Sequence, residues 1–153
     1  MSPLKLYFLS AEVYNGNLLF TPITLAQLSG QGATTYLMSY EEEILHTWSH
    51  ERGPASMPYL LPDSSLIYPY LVELPTMSAG GVGGGVQRVE WDGTIVWDYV
   101  FSDDIYQHHH DVEPLPNGNI LIIVWEVRLL VWITSESEEV FDCMVKKKNR
   151  IRM

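Results

Sequence analysis

Residues 111–125, DVEPLPNGNILIIVW, read as two β-strands around a tight turn. Asp111–Leu115 and Asn119–Trp125 are short runs rich in β-branched and apolar residues, and Asn117-Gly118 supplies the positive φ angles that a hairpin turn requires. Working outward, the same grammar continues. TIVWDYVF (94–101) and VQRVEW (86–91) flank Asp92-Gly93, SLIYPY (65–70) and PYLL (58–61) flank LPDSS, and EILHTW (43–48) and TTYLMSY (34–40) flank YEEE. Helical periodicity is nearly absent, so the chain is expected to be an antiparallel meander of short strands.

The meander repeats. The block YEEEILHTW…YLLPDSSLIY resembles EWDGTIVWDY…EPLPNGNILI, with His46 aligned to Trp97 and Pro62 to Pro116. A four-stranded unit recurring at roughly 50 residues is the pattern of a β-propeller blade of the longer kind. The first copy has the weaker turn chemistry, because EEE stands where the second has DG, and DSS where it has NGN. Between the copies, SAGGVGGG (78–85) lacks the Lys-Ser/Thr of a phosphate loop and reads as a flexible connection.

Alignment of the copies separates scaffold from candidate site. The Pro116–Asn119 turn has a counterpart in the first copy, whereas His109, His110 and Asp111 fall opposite Ala55, Ser56 and Met57. Residues present in one copy only are candidates for function, since the fold manages without them elsewhere. They sit where an innermost strand would begin, the place where propellers commonly bind ligands. On a regular strand, His108 and His110 would face one way and His109 and Asp111 the other. An imidazole that donates to a carboxylate is held in one tautomer, leaving its other nitrogen free to attack or bind. A metal is not expected: no second ligand cluster accompanies the histidines, and His46 and His50 flank Trp48 in the other copy.

Composition bounds the rest. The chain has 153 residues, 46% hydrophobic, which suits one globular domain. A formal charge of -10 disfavours nucleic acid as a partner. One cysteine, Cys143, excludes an internal disulfide framework. The apolar patch Leu6–Leu9 is too short for a signal sequence, and ILIIVW is far below a membrane span, so neither export nor membrane insertion is expected and the compartment is left unassigned.

The stretch GGGVQRVEWDGTIVWDYVFSDDIYQHHHDVEPLPNGNILIIVWE resembles the aryl-sulfate sulfotransferase-like family in its WDG…VW strand pair, its HHD triplet and its LPNGN turn. The resemblance spans about residues 12–126 and is most specific over 84–126. It implies an all-β fold of antiparallel four-stranded propeller blades. It further implies transfer of a sulfuryl group from a phenolic sulfate ester to a phenol acceptor through a covalent histidine, with no cofactor. By that resemblance His109, His110 and Asp111 are the catalytic candidates, and His108 and Tyr106 lie beside them as substrate-binding candidates. Members are typically six-bladed, and those best characterised are exported; this length accommodates about two to three blades. The expected organisation is a partial propeller over residues 1–126 and a divergent tail over 127–153, beginning as an apolar strand and ending in KKKNRIRM. Such an incomplete array would leave sheet edges open to self-association and would not be expected to turn over alone. The alternative is a non-catalytic β-propeller fragment or interaction module. Of the arginines Arg52, Arg88 and Arg128, none falls in a motif of the family.

Overall fold

The computed structural model describes residues 16–25, 31–77, 80–127 and, as backbone, the strand at 144–149. Among the described residues it is all-β, 51% strand, with three antiparallel sheets and no closed one. The first sheet joins β1 (Leu18–Phe20), β2 (Ala33–Met38) and β3 (Ile44–His50) in that order. The second is a four-stranded meander of β4 (Tyr59–Leu60), β5 (Leu66–Leu71), β6 (Gly84–Val89) and β7 (Ile95–Val100). The third runs β8 (Tyr106–Pro114), β9 (Ile120–Glu126) and β10 (Met144–Asn149).

The repeat recurs in the backbone. Ser39 N donates to Glu43 O at 2.8 Å and Glu42 N to Ser39 O at 3.1 Å; in the second copy Glu90 N donates to Thr94 O at 2.8 Å and Gly93 N to Glu90 O at 3.0 Å. Both turns place their fourth residue at positive φ, 66° for Glu42 and 90° for Gly93. Each follows a register shift, at Leu37/Met38 and at Arg88/Val89. The second hairpin behaves likewise, with φ of 68° at Ser64 and 78° at Gly118. Asp63 and Asn117 fill the same role there, their Oδ1 atoms accepting from Ser65 N at 3.0 Å and Asn119 N at 3.1 Å.

Packing explains why β5 reads as almost continuously apolar. Leu66, Tyr68 and Tyr70 turn to the first sheet and form a core with Leu37, Trp48 and Val89. Ile67 turns the other way and joins Val86, Val112, Ile120, Ile122 and Val124. β5 and β6 of the middle sheet are thus covered on both faces, and the sheets stack in chain order. Trp48 locks the first contact: its indole N–H donates to Glu90 O at 3.1 Å, and its ring meets Trp91 edge-on at 5.3 Å. Burial of each such large side chain stabilises the fold by roughly 1.5–3 kcal/mol.

Two elements depart from the sequence reading. β1 is only three residues long, below the length at which alternation can be recognised. β10 carries three consecutive lysines and reads as a solvated tail, yet it pairs antiparallel with β9 from Met144↔Glu126 to Asn149↔Leu121. The apolar strand expected from residue 127 onward lies outside the described residues beyond Val127.

Candidate functional site

β8 is the strand that carries the histidines, and it is not regular. His108 pairs with Val124 and Val112 with Ile122, so His109, His110 and Asp111 bulge out opposite a single partner, Ile123. The face assignment drawn from strict alternation therefore fails, because the bulge breaks the two-residue period. The first copy has the same irregularity: Pro54 bridges Tyr70 and Tyr59 pairs with Ile67, leaving Ala55–Pro58 out of register. The bulge belongs to the scaffold, while its side chains differ between copies.

The bulge sends the three histidines to different surroundings. His108 is fully buried, with Nε2 3.4 Å from the Asp111 carbonyl and Nδ1 without a hydrogen-bond partner among the described residues. Burial lowers its pKa to about 4, so it is neutral. His109 and His110 remain partly exposed and meet each other, ring centroids 4.2 Å apart and the two Nδ1 atoms in hydrogen-bond contact. His109 also packs on Trp125, ring centroids 4.7 Å apart. Its pKa is lowered, first by burial and then by the His110 charge, with Asp111 opposing.

Asp111 does not reach an imidazole with its carboxylate. Its Oδ1 accepts instead from Ser56 Oγ at 2.9 Å and Tyr59 OH at 3.2 Å, both from the preceding repeat. Burial and the adjacent Asp111 carboxylate, with a smaller contribution from Glu113, push the Tyr59 hydroxyl up to about 12. Tyr59 is therefore a donor and never a base near neutral pH. Tyr106 sits at the start of β8, packed on Phe101 and the adjoining core.

The glycine segment is part of this site, not merely a connection. Gln107 is fully buried and donates to Gly83 O at 2.7 Å, while its carbonyl accepts from Thr76 N and Ser102 Oγ. Gly83 N returns a bond to His108 O at 2.9 Å. Gly81 lies so close to His109 that a Cβ there would come within 2.5 Å of the ring, and a Cβ on Gly83 would collide with His108. The glycines are needed for close approach.

Compared with protein-family models, curated proteins and solved structures, the chain matches none of them. The site must therefore be judged on its own chemistry.

No cluster of three or more metal-ligating side chains is present among the described residues. The described arginines are engaged elsewhere: Arg52 with Asp98 at 3.5 Å and over the Tyr70 ring, Arg88 with Asp63 at 2.6 Å. Arg128 lies outside the described residues. What the site offers is a coupled imidazole pair. A neutral imidazole has one N–H and one bare nitrogen, so an Nδ1–Nδ1 hydrogen bond forces opposite tautomers. One ring then has a bare Nε2 and the other an Nε2–H. His109, His110 and Asp111 stand out in the sequence because they occur once. Ser56, Tyr59, Gly81 and Trp125 carry no such mark. Of these, only Ser56 has a hint, as the residue aligned with His110.

Proposed function

We propose that the chain bears the histidine centre of an aryl-sulfate sulfotransferase-like protein, and that its stacked sheets are consecutive blades of an incomplete propeller. The observation that carries this reading is the adjacency of the His109 and His110 rings, centroids 4.2 Å apart, in the β8 bulge that also holds Asp111. The bare Nε2 attacks sulfur, an N–S bond forms, the S–O bond breaks and phenolate leaves. The Nε2–H of the second ring donates to a sulfuryl oxygen as charge shifts onto it. A phenol acceptor then takes the group and frees the imidazole. His108, neutral and buried beneath Gly83, supports the bulge rather than the substrate. Tyr106, at the start of β8, packs on Phe101 and the adjoining core.

The experiment is transfer from p-nitrophenyl sulfate to a phenol by purified, folded protein of measured oligomeric mass. His109→Gln and His110→Gln are each expected to lower the rate at least 100-fold. No turnover by wild-type protein in a defined oligomeric state would remove the catalytic reading for this chain.

A second reading, a non-catalytic β module that completes itself with another chain, is favoured by β7. Ile95, Val96, Tyr99 and Val100 of that strand are all exposed, and among the described residues β7 pairs only with β6. A discrete oligomer without transfer activity would select this reading.

A further inference from the structure

Resting on the sulfuryl-transfer reading, we propose that Asp111 Oδ2 is the base that takes the proton of the acceptor phenol, with Ser56 and Tyr59 as its positioning residues. The need for a third group follows from the imidazole pair itself. Once one Nε2 holds the sulfuryl group, the other ring has Nε2–H and a committed Nδ1, so neither imidazole can accept a proton. A phenol, with a pKa of about 10, must lose its proton as it attacks.

Asp111 is built for that task. Both donors, Ser56 at 2.9 Å and Tyr59 at 3.2 Å, land on the same oxygen, Oδ1. Oδ2 has no hydrogen-bond partner among the described residues. The carboxylate follows His110 directly in the bulge and is near enough to His109 to oppose the lowering of its pKa, without a hydrogen bond to either ring. Two donors on one oxygen fix the plane of the carboxylate and leave the second oxygen to the substrate. The step balances. The phenol O–H breaks and the proton passes to Oδ2, the phenol oxygen forms the new O–S bond, and the S–N bond breaks with its electron pair returning to the imidazole.

The arrangement also makes the site a product of two repeats. Ser56 stands in the first bulge at the position that His110 occupies in the second, so adjacent bulges face each other across the inner strands.

The test separates the two half-reactions in the full chain. Rapid mixing with p-nitrophenyl sulfate reports sulfuryl-enzyme formation as a burst of nitrophenolate, and added phenols report the second step. Asp111→Asn keeps an oxygen for Ser56 and Tyr59 to bond, so the fold is held. In this variant the burst persists, while transfer to phenol falls about 100-fold and the deficit shrinks for acidic phenols that arrive already ionised. Tyr59→Phe is expected to lower transfer about 10-fold and to move its pH profile, which a purely structural role would not do. A burst followed by unimpaired transfer in Asp111→Asn, at every phenol acidity, overturns the proposal and leaves the sulfuryl reading standing. A wild-type pH profile in Tyr59→Phe overturns the positioning role. No burst from wild-type protein sinks the sulfuryl reading, and this proposal with it.

Discussion

His50 shows how one buried side chain can tie stability to pH. Its Nε2 bonds Thr35 Oγ1 at 2.8 Å, and its ring stacks on Tyr68 at 3.5 Å with an interplanar angle of 4°. Burial lowers its pKa from 6.5 to about 4, as it does for His108. A depressed folded-state value means that the stabilisation is complete above pH 6.5 and is lost as pH falls toward 4, because the unfolded chain then binds protons that the folded chain refuses. Each histidine costs about 1.4 kcal/mol per pH unit within that window. Denaturant unfolding measured between pH 6.5 and 5 should show this slope, and His50→Gln should remove about one proton's worth of it. The positions of interest were legible at this scale only where a residue type occurred once. His109, His110 and Asp111 could be read from the chain. Their partners Tyr59, Gly81 and Trp125 could not, since they come from other strands and connections and meet the bulge only after folding.

At the scale of elements, the hairpins carry the most testable claim. Glu42 and Ser64 occupy left-handed turn positions where the second copy has Gly93 and Gly118. A side chain there costs about 1 kcal/mol. Glu42→Gly and Ser64→Gly should each raise the stability of the protein by roughly 0.5–1 kcal/mol, and Gly93→Ala and Gly118→Ala should lower it by a similar amount, all read by chemical denaturation. Trp48→Ala removes the lock between the first two sheets, and a loss of about 3–5 kcal/mol is expected, with unfolding at moderate temperature as the readout. Strands and turns were legible because their signals are local: alternation over six residues, or Asn-Gly between two apolar runs. The bulge in β8 was not, because two extra residues are defined only by the partner strand opposite them. β10 was hidden by its lysines, which are common on solvated tails and also at sheet edges.

The whole molecule is a stack of three sheets whose middle sheet is finished at β5 and β6 and bare at β7. Trp48 is only 1% exposed beneath the second sheet, whereas Tyr99, its counterpart one repeat later, is 38% exposed. The exposed apolar side chains of β7, at a strand edge unpaired among the described residues, predict concentration-dependent association even though the net charge of -10 opposes it. Sedimentation velocity at low and high salt should show more association at high salt, where the charge is screened, and Val96→Lys should reduce it. The acidic balance was readable at once from composition. That the stack covers β5 on both sides was foreshadowed by its lack of polar residues, but which sheet lies on which face depends on the order in which the meander folds back.

The duplicated irregularity has a consequence for change over time. The chain at 55–58 falls out of register with its partner strand as the chain at 109–111 does, so the two layers offer matching positions, of which Ser56 is already committed to Asp111. Substituting Ala55 and Met57 would alter side chains at an irregularity the scaffold already holds, so chemistry could be gained in the first layer by point changes while Ser56 kept its bond to Asp111.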